Sequence, residues 1–144
     1  MVGMVLSRLS PEKNLSSTLG LGLTFIVRLD ARNYDLDLSG ESCLLDAPYE
    51  DCMERLRSAA FLVSTWTDET YGLNALEAAE RGVPVILCED DKPHASRTFL
   101  PEWGYLTCAP TPEGVRDAIS RIPWEWRTLA FRERLAAYMR TVTP

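Results

Sequence analysis

The sequence is short of histidine, lysine and paired cysteines, and each shortage closes off a chemistry. His94 is the only histidine, and Cys43, Cys52, Cys88 and Cys108 include no C-x-x-C pair, so the ligand spacing of a zinc site is missing. The three cysteines at 43, 88 and 108 sit in or at the end of apolar stretches, where buried, reduced thiols acting as small hydrophobes are expected. Lys13 and Lys92 are the only lysines among 15 basic residues. The arginines that make up the rest suit planar, bidentate contacts to phosphates or carboxylates, and they equally fit the composition of a GC-rich genome. Against 21 acidic residues the formal net charge is -6, so no global field would hold the chain on a nucleic-acid backbone or an anionic membrane. No run approaches the ~18 apolar residues of a membrane span, and the first ten residues have neither a basic flank with a long apolar stretch nor a small-residue cleavage site. A cytoplasmic location is therefore expected. What is present is ordinary: 144 residues, 46% hydrophobic and 25% charged, enough to bury the core of one domain spanning 1–144.

Short apolar runs alternate with helical patterns, the rhythm of β-α units that build a parallel sheet. Strands are expected over 2–6, 23–29, 42–45, 61–64, 84–88 and 105–108, several of them apolar throughout, as for strands covered on both faces. Helices are expected over 49–59, 72–81, 111–122 and, as one long element, 124–142. Thr111 before Pro112 and Glu113 makes a good helix start, and Gly82 before Val83 and Pro84 a good stop. Residues 31–40 read as a polar loop where a larger α/β domain would carry a helix. The expected fold class is α/β: a single Rossmann-like domain with a parallel sheet of about six strands and helices on both faces.

The stretch from Ser64 to Ile86 is the most informative. A strand ends near Ser64, a polar loop follows and a helix begins near Gly72, which sets unpaired backbone N–H groups and the positive end of a helix dipole at the carboxyl edge of the sheet. Open α/β sheets bind ligands at that edge, and a helix N-terminus there favours a phosphate. Gly72 has no Cβ to keep a ligand off the backbone. Glu69 in the loop and Glu77 in the second helical turn could bracket a ligand between them, and carboxylates accept hydrogen bonds from paired sugar hydroxyls. By spacing alone Glu77 could equally be a solvated surface residue, since Ala75, Ala78, Ala79 and Gly82 form the small face that presses on the sheet. Arg8 and Lys13, read alone, are a surface charge pair.

Glu69-Thr70-Tyr71-Gly72-Leu73, then Leu76-Glu77-Ala78, then Gly82-Val83-Pro84-Val85-Ile86 together resemble the two-glutamate motif of family 4-type retaining glycosyltransferases. Those enzymes have the GT-B architecture of two Rossmann-like domains facing across a cleft, and the motif belongs to the C-terminal, nucleotide-sugar-binding domain. Ser7-Arg8-Leu9-Ser10-Pro11-Glu12-Lys13-Asn14 is similar to the family's first-strand loop, whose arginine and lysine bind the donor diphosphate. The resemblance implies that Glu77 binds the ribose hydroxyls, that Glu69 faces the donor sugar, and that the backbone of Tyr71, Gly72 and Leu73 holds sugar and phosphate. It also implies that Arg8 and Lys13 stabilise the charge developing on the leaving nucleotide, and that the turn from Leu45 to Pro48 lies near the base. It implies no metal and no cofactor beyond the nucleotide-diphosphate sugar itself.

The sequence departs from the family pattern in three places. The 144 residues hold no match to the acceptor-binding N-terminal domain, a glycine pair after the following strand is replaced by the acidic Cys88-Glu89-Asp90-Asp91-Lys92-Pro93-His94, and the helix after the diphosphate loop is shortened. A donor-binding domain that relies on an acceptor domain from a partner protein or a homodimer is thus the expectation. A non-catalytic nucleotide- or protein-binding module of the same descent is the alternative. The aromatic and arginine-rich segment from Trp124 to Val142 reads as an amphipathic helix over the domain's own sheet, or as a docking face for a partner. His94 has no partner discernible in the sequence.

Overall fold

The computed structural model describes residues 3–9, 18–29, 40–65 and 73–142, with backbone alone at 6–9, 26–29, 44–45 and 73–74. Six strands, β1 (Gly3–Leu9), β2 (Thr24–Leu29), β3 (Ser42–Leu45), β4 (Phe61–Ser64), β5 (Val85–Cys88) and β6 (Tyr105–Cys108), form one sheet in the order β3-β2-β1-β4-β5-β6. Every pairing is parallel. The helices α1 (Tyr49–Arg57), α2 (Leu73–Glu80), α3 (Pro112–Ser120) and α4 (Leu129–Val142) flank it. This is the strand order of a Rossmann-type sheet, and the direction of winding reverses between β1 and β4.

The core explains the apolar runs. All of β4 and β5 is buried, as parallel strands with both faces covered must be. Leu56 of α1, Ala75, Ala78 and Ala79 of α2, Val115 and Ala118 of α3, and Leu135 and Met139 of α4 complete the same apolar cluster. The small face expected of α2 is therefore the one that packs. Thr111 caps α3, its hydroxyl accepting from the Gly114 amide at 3.0 Å. Gly82 ends α2 with φ +79°, while its own amide and that of Val83 return to Ala79 and Ala78. A Cβ there would also stand 2.5 Å from the Arg132 carbonyl of α4, so this glycine lets two helices meet.

Four expectations are corrected. First, β1 does not stop at residue 6. It runs to Leu9, because β2 continues to offer partners up to Leu9↔Leu29 after β4 has ended, so Ser7 and Arg8 are strand and not loop. Second, the expected helix over 124–142 is two elements: a 3₁₀ turn (Trp124–Arg127) and α4. Thr128 breaks them with ψ 147° and offers its hydroxyl to the Phe131 amide, the arrangement of an N-cap. Third, Cys43 is exposed and Cys108 only half-buried, leaving Cys88 as the buried thiol of the three, because β3 and β6 are the edge strands of the sheet. Fourth, Trp124 and Leu129 of the aromatic segment stand 72% and 71% exposed. α4 instead buries Phe131, Arg132, Leu135 and Met139, and it packs chiefly on α2.

Candidate functional site

The carboxyl edge of the sheet gathers the sequence-predicted residues that are described. Carrying the pairing Gly3↔Phe61 and Met4↔Leu62 onward brings Leu6 level with Ser64, the last residue of β4. Arg8 then lies two residues farther, roughly 7 Å beyond the end of β4 at ~3.3 Å per residue. Leu45 is the last residue of β3, level with Val27 of β2. Leu73 opens α2. Lys13, Glu69, Tyr71 and Gly72 lie outside the described residues.

Glu77 occupies the second turn of α2 and is half-buried. Its Oε2 accepts a 2.8 Å hydrogen bond from the hydroxyl of Tyr49, the first residue of α1. α1 begins just past the turn from Leu45 to Pro48, so this contact brings the end of the β3 side of the sheet to the helix that follows β4. The proximity of the carboxylate, first by the hydrogen bond and then by its charge, raises the Tyr49 pKa above the ordinary phenol range. One turn on, Arg81 Nη1 donates to the Glu77 carbonyl at 2.8 Å, while Arg81 Nε is buried without a hydrogen-bond partner among the described residues. A half-buried carboxylate next to an exposed aromatic ring offers acceptors for a diol and an apolar face beside them. Tyr49 is absent from the sequence-predicted set; its one sequence signal is an aromatic directly after that turn.

A second cluster lies at the same edge. His94 is buried, with Nε2 2.9 Å from the Ser64 hydroxyl and Nδ1 accepting from the Ser96 amide at 3.2 Å. The Ser96 hydroxyl also lies 2.7 Å from Nδ1. Burial holds the His94 pKa below the usual imidazole range, against the opposing pull of Glu89. The acidic segment after β5 makes this cluster: Glu89 accepts from the His94 amide at 2.6 Å and pairs with Arg97 at 3.2 Å, and Asp90 accepts from the Lys92 amide. This self-capped turn ties the exits of β4 and β5 together.

Among the described residues no group of three or more histidine, cysteine, aspartate or glutamate side chains is placed to hold a metal ion, and no helix is long and apolar enough to cross a membrane. A cavity of about 410 Å³ lined by Ala60, Phe61, Ile119, Ile122, Trp126 and Arg127 adjoins Phe61, the first residue of β4, and so belongs to the opposite edge.

No protein-family model matches the sequence, and no curated protein matches it. Solved structures do match. Sucrose-phosphate synthase from Thermosynechococcus elongatus superimposes with a TM-score of 0.75 at 20% identity over 98% of this chain and 41% of that one. The catalytic domain of starch synthase IV from Arabidopsis thaliana, bound to ADP and acarbose, gives 0.70 at 15% identity over 99% and 38%. The catalytic domain of cholesterol-α-glucosyltransferase from Helicobacter pylori gives 0.66 at 17% over 98% and 96%. The fold is that of a GT-B half. At these identities the likeness extends to the GT-B architecture and not to one glycosyltransferase family, and the chain spans about two fifths of the two synthase structures.

Proposed function

We propose that this chain binds a nucleotide-diphosphate sugar and supplies the donor side of a retaining, metal-independent glycosyl transfer, the acceptor side coming from a partner's domain or a second copy. The observation that carries the reading is the placement of Glu77: a half-buried carboxylate in the second turn of the helix after β4, beside the winding reversal of a GT-B-type sheet, with Arg8 at the end of the neighbouring β1. In this reading Glu77 accepts from the ribose hydroxyls and the turn from Leu45 to Pro48 faces the base. Tyr71, Gly72 and Leu73 present backbone N–H groups to sugar and phosphate, and Glu69 faces the sugar. Arg8 and Lys13 neutralise the diphosphate as the glycosidic bond breaks and negative charge collects on the leaving nucleotide. That stabilisation is worth most where water is excluded, and a guanidinium with an ammonium supplies it without a metal.

Incubation of the protein with nucleotide sugars tests the reading. Slow release of nucleoside diphosphate is expected from one donor, rising when the acceptor partner is present and lost in Glu69→Ala and Arg8→Ala. Donor affinity unchanged in Arg8→Ala and Glu77→Ala would overturn the site. Binding without release from any donor would favour a nucleotide-binding module without turnover.

A further inference from the structure

We propose that Cys88 and Cys108 form a modification site, a thiol pair that hydrogen peroxide converts to an intramolecular disulfide between the last residues of β5 and β6. The two residues are register partners on adjacent parallel strands, which sets their Cα atoms about 4.8 Å apart, inside the range of about 4.4–6.8 Å that a disulfide spans. Their sulfurs already lie 3.8 Å from each other, and bond formation requires them to close to about 2.05 Å. Both stand at strand ends.

The two thiols differ in a way that orders the chemistry. Cys88 is fully buried and Cys108 half-buried, so peroxide reaches Cys108 first. The hydrogen bond from Cys88, aided by the Arg121 guanidinium, lowers the Cys108 pKa against the opposing effects of burial, Asp117 and Glu89. The same shared proton drives Cys88 strongly upward. Arg121 is held there by Asp117 at 2.9 Å and by the Thr107 carbonyl at 3.2 Å. The Cys108 thiolate attacks peroxide, the O–O bond breaks, and sulfenic acid and hydroxide result. The Cys88 sulfur, giving up its proton, then displaces hydroxide from the Cys108 sulfur. In sum, two thiols and one hydrogen peroxide yield one disulfide and two waters; sulfur is oxidised by two electrons and peroxide oxygen reduced by two. The bond closes a loop over residues 89–107, the segment that carries Glu89, His94, Ser96 and Arg97. Cys43 and Cys52 have no cysteine hydrogen-bonded to them among the described residues.

The purified full chain, treated with one equivalent of hydrogen peroxide, alkylated and cut with trypsin, gives the test. Peptides 82–97 and 98–116 should be recovered as one linked species, two hydrogens lighter than their sum, and a reductant should separate them. The same treatment in urea should lose the preference and link the four cysteines at random. Cys88→Ser should leave a sulfenic acid on Cys108 that dimedone traps, and Cys108→Ser should abolish the link. Should either variant fail to fold, the linked-peptide readout of the unaltered chain still decides the matter. Full alkylation of both thiols after oxidation, or oxidation confined to Cys43 and Cys52, would overturn the proposal.

Discussion

Because the Ser96 amide donates to Nδ1 of His94, the imidazole carries its proton on Nε2 and donates it to the Ser64 hydroxyl at the end of β4. Protonation would leave Nδ1 with no lone pair for that amide. In the unfolded chain His94 titrates near pH 6.5, and in the folded chain lower, since burial outweighs the attraction of Glu89. Between the two values the unfolded state holds the extra proton, so stability is full above about pH 6.5 and is lost as pH falls towards the folded value. Urea midpoints measured across that window should decline for the unaltered chain and stay flat for His94→Gln at the same position. His94→Ala, which strands the Ser96 amide, should cost about 2 kcal/mol. Tyr49→Phe should change stability by less than about 0.5 kcal/mol, because the Tyr49 side chain is exposed. It should also tighten nucleotide binding by a few fold, since Glu77 would have no hydroxyl to release; unchanged affinity in a titration would show that Tyr49 does not compete for Glu77.

At the scale of elements, α4 is fastened by a few identifiable contacts. The buried Arg132 guanidinium donates 2.7 Å hydrogen bonds to the Ala59 and Arg57 carbonyls, tying α4 to the turn between α1 and β4. Arg132→Ala should destabilise by about 2–3 kcal/mol by orphaning both carbonyls, and lysine, with no planar fork, should restore little of it. Gly82→Ala should cost about 2 kcal/mol or more, combining a left-handed φ with the clash against Arg132. Thr128→Ala should cost about 1 kcal/mol, the worth of an N-cap. Chemical denaturation of the four variants checks all of these. The elements themselves were largely legible in the sequence. β4, β5 and β6 stand out as apolar runs, and the cap at Thr111 and the stop at Gly82 are local signals that no packing overrides. The break at Thr128 was not legible, because the aromatic and leucine spacing runs through it and masks the N-cap that Thr128 provides; Trp126 packs against Phe131 across the break.

At the scale of the whole molecule, what the sequence withheld is what lies far apart along it. The Tyr49–Glu77 and Ser64–His94 contacts join residues 28 and 30 positions apart, and only the β3-β2-β1-β4-β5-β6 order brings them to one edge. The length of β1 is likewise a property of its neighbour β2, not of its own residues. The architecture was legible through the alternation of strands and helices and the resemblance of two motifs; the likeness to solved GT-B structures agrees with it. Whether a nucleotide is held through Glu77 is decided by thermal unfolding of the chain against UDP, GDP, ADP and their common sugar conjugates. A ligand at ~100 times its dissociation constant adds about 2.7 kcal/mol, several degrees for a domain of this size. A shift with one base and its conjugates that disappears in Glu77→Ala is expected; no shift with any nucleotide, or one that survives in Glu77→Ala, would overturn the placement of the nucleotide at Glu77.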